Sequence, residues 1–370
     1  MIPYVEVIEK YSLKSFALIE PSECWFEISY FDLGQFEIYT FANSNNLAAL
    51  KNGNYIKIPN KPYLWIIKSV QYTYNAEGAR MIDVKGYEAK WLLNQRIVLA
   101  PVQLSTDLAT AVYELVIKNL GNRALAPRII NGFNVIRPTF NITIEQTQAS
   151  RGNLWELVQE LLKSNGCGCF TTFENGQITF RAIQGTDKSN SIVFSQSMDN
   201  LISSEYYLNS ENYKTYCRVV STFSEENEDG ESVDVDYVQD YNKGGQNIDR
   251  YEMLLESNLS TKYIDDNGEE QEVSPSSSLY QSWQQQEGKN TLADKIIDKE
   301  FNGEIDIKFS QYQFVDPTTP LEDSTYSYFI GDYVKIKDEY FNFEQSTRVT
   351  KYTFKQDSSG YGEEASYGNE

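Results

Sequence analysis

Histidine is absent from the 370-residue sequence, and cysteine is scarce. Without histidine the chain lacks the commonest general base near neutral pH and the commonest metal ligand. This excludes Ser–His–Asp catalysis, Cys–His catalysis and histidine-based zinc sites. Cys24, Cys167, Cys169 and Cys217 are too few and too scattered for the disulfide framework of a small secreted domain. Cys167 and Cys169 form a CxC pair, but a tetrahedral zinc site would need both distant cysteines, so we interpret all four as small buried apolar residues.

Long apolar runs are missing as well. No stretch approaches the roughly 20 apolar residues that span a bilayer. The first residues, MIPYVEVIEKYSLKSF, lack the basic start and apolar core of a signal peptide. We therefore expect no membrane segment and synthesis in the cytoplasm of the producing cell.

Basic residues are outnumbered by acidic ones. The chain has 32 Lys and Arg residues against 53 Asp and Glu residues, a formal net charge of −21. Proteins that grip nucleic acid concentrate Lys and Arg to displace counterions from phosphates. The composition therefore argues against specific DNA binding, although a negative wall would suit a conduit through which DNA passes without adhering.

Local signatures of enzymes are also absent. The sequence contains no GxxxxGK[ST], GxSxG or GxGxxG, so it has no recognisable phosphate cradle or nucleophile elbow. Two of the many acidic residues could form a glycosidase pair, which requires carboxyl groups about 5–10 Å apart across a cleft. No local pattern singles out such a pair. We expect no enzymatic activity, no catalytic residues and no cofactor.

Two acidic segments are candidates for a metal site. Asp234 and Asp236 in SVDVDYVQD lie on one face of an expected strand, where their oxygens could hold Ca²⁺. The alternative, which we favour, is a solvated edge whose charges discourage strand addition. Asp265, Asp266 and Asn267 precede Gly268 too closely for an EF-hand loop, so we predict a hairpin turn there. The sequence thus assigns no metal ligand.

A β-hairpin pattern occurs twice. GNYIKI, from Gly53 to Ile58, is followed by IIKSVQYTY, and GDYVKI, from Gly331 to Ile336, is followed by RVTKYTF. The copies lie far apart in the chain, so they are not solenoid repeats. Two unrelated amphipathic hairpins could converge on this pattern. If the duplication is real, each subunit supplies two similar modules, and a trimer would present six.

The order of patterns predicts an α+β chain that is mainly β. A length of 370 residues favours several domains, and abundant Tyr with alternating apolar residues favours strands. We expect two similar small antiparallel β-barrel domains, an α+β module and an inserted domain. Their predicted bounds are 1–99 for the first barrel, 100–189 for the α+β domain, 190–224 with 304–357 for the second barrel, 225–303 for the peripheral insertion and 358–370 for a flexible tail.

Helix signals are few. A helix capped by Ser105, Thr106 or Asp107 is predicted to bury the stripe Leu108, Ala111, Val112, Leu115 and Val116. A second is predicted to open at Ser150 and to stop at Gly166. A short helix is expected within residues 87–96, and another around Leu292, Ile296, Ile297 and Phe301. The pair Asn175–Gly176 predicts a hairpin turn.

Several of these patterns together resemble a known family. A Gly-Xaa-Phe strand at Gly34–Phe36, a Gly-led strand at Gly53, a hairpin with Gly78 and Gly86, and a short helix ending at Arg96 follow one another. This order is similar to the amino-terminal domain of bacteriophage tail hub proteins, the baseplate hub or tail-associated family of long-tailed phages and prophages. SRGNLWELVQELLKSNGCGCFTTFENGQITF and YFIGDYVKI resemble the same family's second and third domains, whereas residues 225–303 match nothing in it.

The resemblance implies a structural role in the virion. We expect a homotrimeric baseplate hub whose β domains form a pseudo-sixfold ring around a DNA channel. It would contact the hexameric tail tube or distal tail proteins on one side and a tape measure protein or tip spike on the other. The alternatives are a cell-wall polysaccharide-binding or hydrolase module of a tail, suggested by Tyr and Trp residues that could stack on sugars, and the hub of a contractile injection particle.

Overall fold

Alternating burial along the strands shapes most of the molecule. The computed structural model describes residues 2–265, 267–306, 310–319, 325–340 and 342–368. In Gln35–Phe41, for example, Phe36, Ile38 and Thr40 are buried while the residues between them are partly or fully exposed, as the sequence predicted. The fold is α+β and mainly β, which confirms the predicted class.

The first β module is an antiparallel sheet with one short helix. Its strands lie side by side in the order β3-β4-β7-β6-β5-β1-β2, and the 3-10 helix Ala89–Gln95 follows the last of them in the chain. The elements are β1 (Val5–Ile8), β2 (Ser15–Ile19), β3 (Glu23–Ser29), β4 (Gln35–Phe41), α1 (Ser44–Ala49), β5 (Tyr55–Lys57), β6 (Trp65–Tyr74) and β7 (Arg80–Glu88).

The α+β module packs two helices against a three-stranded sheet. Asp107 caps the first helix as predicted, but the cap of the second is Asn153 and not Ser150, because the Asn153 side chain reaches the amides of Trp155 and Glu156. The elements are β8 (Ile97–Val98), β9 (Val102–Gln103), α2 (Leu108–Asn119), β10 (Phe133–Ile136), β11 (Gln148–Ala149), β12 (Gly152–Asn153), α3 (Leu154–Lys163), β13 (Cys167–Glu174) and β14 (Gln177–Gln184). The β13–β14 turn has Asn175 and Gly176 at positive φ, which confirms that hairpin.

The second β module is interrupted by the insertion. Its first strands are β15 (Val193–Ser195) and β16 (Leu201–Asn209), and its later ones are β22 (Asp298–Ile305), β23 (Gln313–Phe314), β24 (Ser327–Tyr328), β25 (Tyr333–Asp338), β26 (Phe343–Asp357) and β27 (Gly360–Gly368). Between them, the insertion contains β17 (Tyr216–Glu226), β18 (Ser232–Asn242), β19 (Glu252–Glu256), β20 (Lys262–Ile264), β21 (Glu270–Glu272) and α4 (Ser278–Ala293). Short 3-10 turns occur at Gln196–Met198 and Asn247–Asp249.

Five strands of each module share one topology. The spatial order is β3-β4-β7-β6-β5 in the first module, and β16-β22-β27-β26-β25 in the second, with every neighbouring pair antiparallel. Gly53 and Gly331 open the repeated hairpins with φ of 91° and 92°. Their amides donate to the carbonyls of Ile67 and Val349 at 2.9 and 2.7 Å. Each of these partners begins a register shift, so the two hairpins match in backbone detail.

The two modules are fused through one pair of strands. β26 pairs with β25 along its first half and with β3 along Lys351–Gln356. This contact joins both modules in a single 13-stranded sheet. In the part of the chain that the structure describes, the path of paired strands ends at β2 and β16 without closing, so the expected pair of separate closed barrels is replaced by one continuous sheet.

Three other expectations need correction. Residues 358–370 were expected to be a flexible tail, but Gly360–Gly368 is a strand held between β22 and β26, and 369–370 lie outside the described residues. The insertion does not span 225–303, because β17 pairs within it from Tyr216 and β22 pairs with β16. The helix expected around Leu292–Phe301 is instead α4, Ser278–Ala293, and Phe301 lies in a strand.

Gly86 lies where β7 approaches β6 too closely to leave room for a side chain. A Cβ atom at this position would be 1.9 Å from the carbonyl oxygen of Ile66 and 2.7 Å from the Phe36 ring. The Gly86→Ala variant is expected to lower the free energy of unfolding by about 2–3 kcal/mol, because the overlap is with backbone that no rotamer change can move. Gly152→Ala is the matched control, since its nearest neighbour, Leu157 Cδ1, is 3.9 Å away. Urea unfolding measures both, and equal stabilities would contradict this prediction.

Candidate assembly site

The pairing of β26 with β3 joins the two β modules. Phe354 lies opposite Phe26 and Tyr352 lies opposite Ile28 in the antiparallel register. All four side chains are at most 1% exposed. Each side chain buries more apolar surface than a methylene group does, and burial of one methylene group stabilises the folded state by about 0.8 kcal/mol. The apolar side chains of both modules therefore belong to one hydrophobic core.

Tyr30 and Arg348 link this junction to the α+β module. The Tyr30 hydroxyl lies 3.0 Å from the Gly166 carbonyl and 3.1 Å from the Ile183 carbonyl, and it accepts from the Gly185 amide at 3.2 Å. Arg348 Nη1 also donates to it at 3.3 Å. Burial raises the pKa of Tyr30 well above its ordinary value, so the phenol stays protonated and remains a donor.

Arg348 fixes the hairpin of the second module at the same point. Nη1 donates to the Gly331 carbonyl at 2.8 Å, and Nη2 donates to the Tyr333 hydroxyl at 2.7 Å. The guanidinium lies 4.4 Å from the Tyr333 ring centroid and 5.0 Å from that of Tyr30. A Cβ at Gly185 would lie 1.6 Å from the Gly331 carbonyl oxygen, so the α+β module and the hairpin meet in backbone contact.

A buried ion pair supports the other side of β3. The ammonium of Lys90 lies 3.0 Å from Glu88 Oε2 and donates to the Ser29 and Cys169 carbonyls at 2.5 and 3.0 Å. The same carboxylate oxygen accepts from the amides of Ser29 and Gly34 at 3.1 and 2.9 Å. Burial raises the pKa of Glu88, while Lys90 and the two amides oppose that change. The pair therefore holds the end of β3 against β13.

Two strand edges present exposed aromatic and aliphatic side chains. β16 exposes Ile202, Tyr206, Tyr207 and Leu208. β6 exposes Tyr72 and Tyr74 in its second half, Ser69–Tyr74, which pairs with β7 on one side and, among the described strands, with none on the other. Exposed edges of this kind are where a further strand adds.

An acidic contact joins the α+β module to the insertion. Glu160 on α3 faces Glu287 on α4, with Asp294 and Glu156 nearby, and burial together with these carboxylates raises the pKa of Glu160 to about 7. The hydroxyl of Ser257 donates to Glu287 at 2.6 Å. Lys163 and Asp294 form an ion pair at 2.5 Å across the same contact. The two elements therefore carry both attractive and repulsive charge contacts.

The acidic residues singled out in the sequence lie on ribbons of the insertion. Asp234 and Asp236 are on β18, and each accepts a hydrogen bond from a hydroxyl of β17, Ser224 at 2.6 Å and Thr222 at 2.7 Å. Asp265 accepts from the amides of Asn267 and Glu269, as expected for a hairpin turn, and Gly268 has positive φ. Asp266 lies outside the described residues. The two sets of carboxylates belong to different hairpins and do not form one site.

Other predicted positions have structural roles. Cys24, Cys167, Cys169 and Cys217 are buried, and only Cys167 and Cys169 lie on one strand. Arg96 donates from Nε and Nη2 to the Arg128 carbonyl at 3.0 and 2.8 Å, and Gly78 supplies a positive φ at the β6–β7 turn.

Sequence reasoning missed the residues at the centre. Tyr30, Arg348, Glu88 and Lys90 were not singled out, although a lysine between apolar residues in YEAKWLL is a signal for a buried charge. Arg348 gave no comparable signal, because its partners come from distant segments. Among the described helices, none is long and apolar enough to cross a membrane.

Removing the Lys90 ammonium leaves the Glu88 carboxylate buried with only its two amide donors. We expect Lys90→Met to lower the free energy of unfolding by about 3–5 kcal/mol. The double variant Glu88→Gln/Lys90→Met should lose less, because the amide oxygen still accepts from Ser29 and Gly34. Lys118→Met is the control, since its pair with Glu114 is exposed and should change stability by less than about 0.5 kcal/mol. Chemical denaturation measures the free energies of unfolding. The prediction is refuted if Lys90→Met is at least as stable as Glu88→Gln/Lys90→Met.

The contact around Glu160 predicts a pH dependence. A carboxyl whose folded-state pKa is about 7, against an ordinary 4.5, favours the folded state below 4.5 and loses that contribution as pH rises through 7. Glu160→Gln should therefore raise the free energy of unfolding by about 1–2 kcal/mol at pH 8 and leave it unchanged near pH 4. Glu231→Gln, on an exposed turn, is the control. Thermal unfolding across this range checks the trend, which a pH-independent effect would contradict.

Comparisons with known proteins agree with the predicted resemblance to phage tail proteins. The sequence matches the Siphovirus ReqiPepy6 Gp37-like protein family over residues 21–369. The structure is similar to the tail protein from Neisseria meningitidis MC58, with 12% identity and a TM-score of 0.56, covering 99% of this chain and 96% of that one. It is also similar to the prophage MuSo2 43 kDa tail protein from Shewanella oneidensis, with 14% identity and a TM-score of 0.54, covering 98% of each. No curated protein sequence matches the chain. Because the family match spans nearly the whole sequence, the chain belongs to the Siphovirus ReqiPepy6 Gp37-like family and is a phage or prophage tail protein of the siphovirus type.

Proposed function

We propose that the protein is a non-enzymatic hub of the tail tip or baseplate. Three copies form a pseudo-sixfold ring that joins the tail tube to the tip and surrounds the DNA channel. The observation that carries this proposal is the internal repeat, in which five strands have the same order and orientation in both modules.

The repeat supports a change of symmetry. A chain with two matching modules offers two similar positions, so three chains around a threefold axis offer six. A hexameric tube can dock on six similar positions, while the threefold differences between the modules remain available to a trimeric tip. The first β module docks on the tube in this arrangement. The insertion, whose sheet β18-β17-β19 is separate from the large one, would lie at the periphery of this ring.

Charge supports the role of a conduit. The chain has 53 acidic and 32 basic residues. The acidic excess makes the ring repel phosphates, so DNA passes without specific binding. The partners are the distal tail or tail tube proteins above the ring, and a tape measure protein or tip spike below it. Assembly takes place in the host cytoplasm before the particle is complete.

The carboxylates also support a structural role. Asp234 and Asp236 are exposed on a ribbon and engaged by hydroxyls of the neighbouring strand, unlike a glycosidase pair that faces substrate across a cleft.

Mass photometry of the purified protein, alone and mixed with its tube protein, tests the assembly. We expect a species of three chains that gains mass when the tube protein is added. A particle that stays monomeric under both conditions would contradict the proposed ring.

A further inference from the structure

We propose that the free half of β6, Ser69–Tyr74, pairs antiparallel with β16 of a second copy of this chain. This inference rests on the proposed ring and specifies the contact that would close it. The motivating observation is that the chain already contains a version of this contact, between Lys351–Gln356 of β26 and β3.

The repeat gives the equivalence of β6 and β26. Ile67 and Val349 make matching hydrogen bonds to the hairpins that Gly53 and Gly331 open. The register shift that follows each of them places Ser69 opposite Lys85, and Lys351 opposite Ser366. Ser69–Tyr74 therefore corresponds to Lys351–Gln356, the segment of β26 that pairs with β3.

The same argument relates β16 to β3. Val84 and Ala365 are equivalent positions in β7 and β27. Val84 pairs with Ile38 of β4, and Ile38 pairs with Cys24 of β3. In the second module, Ala365 pairs with Gly303 of β22, and Gly303 pairs with Ser204 of β16. The segment 204–209 of β16 thus corresponds to 24–29 of β3.

These equivalences predict a specific register between copies. Phe354 opposite Phe26 corresponds to Tyr72 opposite Tyr206, and Tyr352 opposite Ile28 corresponds to Val70 opposite Leu208. On the other face, Thr73 meets Glu205 and Gln71 meets Tyr207. On one face of the paired strands, apolar and aromatic residues therefore lie opposite one another. The pairs on the other face include polar residues. Such pairs stabilise neighbouring strands.

Burial separates the satisfied contact from the open one. Phe26, Ile28, Tyr352 and Phe354 are at most 1% exposed. Of their four counterparts, Tyr206, Leu208 and Tyr72 are 40%, 57% and 61% exposed, and Val70 is half-buried. Large side chains that are buried in one copy of a contact and exposed in the other indicate that the second copy lacks its partner strand.

The partner is a second copy, because each chain leaves, among its described strands, one unpaired edge equivalent to β26, on β6, and one equivalent to β3, on β16. β16 ends the sheet path, and β6 lies seven strands further along it, so the two edges bound an eight-stranded segment. A contact between unlike edges is heterologous, and such contacts build rings when the rotation closes. Internal β26·β3 contacts and intermolecular β6·β16 contacts would then alternate around the ring.

Paired cysteines test the register directly. Val70→Cys/Leu208→Cys should form a disulfide between chains and give a covalent trimer on a denaturing gel after mild oxidation of dilute protein. Val70→Cys/Tyr207→Cys is the matched control, because Tyr207 lies on the opposite face of β16 and its cysteine should not crosslink. The four native cysteines are buried, which keeps them from competing.

Introducing complementary charges at the contact gives a second readout. Leu208→Arg or Val70→Glu alone should raise the concentration needed for half-trimerisation at least about tenfold, and the two together should restore it, since opposite charges would face each other across the strands. Leu254→Arg, at an exposed position of the insertion, should leave trimerisation unchanged.

The outcomes separate this contact from the ring itself. A trimer that neither crosslinks through 70 and 208 nor responds to Leu208→Arg overturns the β6·β16 contact and leaves the ring standing. A ladder of crosslinked chains without a trimer supports the contact and overturns threefold closure. A monomer that does not crosslink, with or without the tube protein, overturns both.

Discussion

The pairing of β26 with β3 is the contact on which the rest of the structure depends. It places β26, the second strand of one repeated hairpin, against β3 of the other module, and its four central side chains are almost completely buried. The hydrogen bonds and apolar contacts are local to six residues of each strand, yet they turn two modules into one sheet. A change in this register by one residue would move each of those side chains to the opposite face.

The α+β module holds this junction in place through a small number of polar contacts. Tyr30 connects β3 to the backbone around Gly166 and Gly185, and Arg348 connects the same phenol to the hairpin at Gly331. Glu88 and Lys90 do the equivalent for Ser29 and Cys169. Buried polar groups of this kind are costly unless every partner is present. They therefore specify one arrangement of the three elements more strongly than apolar packing alone would.

The repeat also relates stability to assembly. Within the chain the strand edge of the first module is covered, whereas the corresponding edge of the second module is exposed and carries Tyr206 and Leu208. In the proposed ring, the kind of contact that joins the two modules within one chain would also form between chains. In the proposed hub, the net charge of −21 would keep DNA from adhering as it passes.

Residues close together in the chain encode the mainly β fold, the duplicated hairpin, the Asp107 cap and the turn at Asn175–Gly176, so local patterns predict these features. Local patterns place the cap of α3 at Ser150, three residues before Asn153. They also predict a loose tail at Gly360–Gly368, because glycine and acidic residues are poor strand formers in isolation. This segment is a strand because of its tertiary contacts, since β22 and β26 supply its hydrogen bonds from both sides. The same holds for the fusion of the modules and for the contacts of Tyr30 and Arg348, whose partners lie up to 318 residues away, a separation that no local pattern can encode.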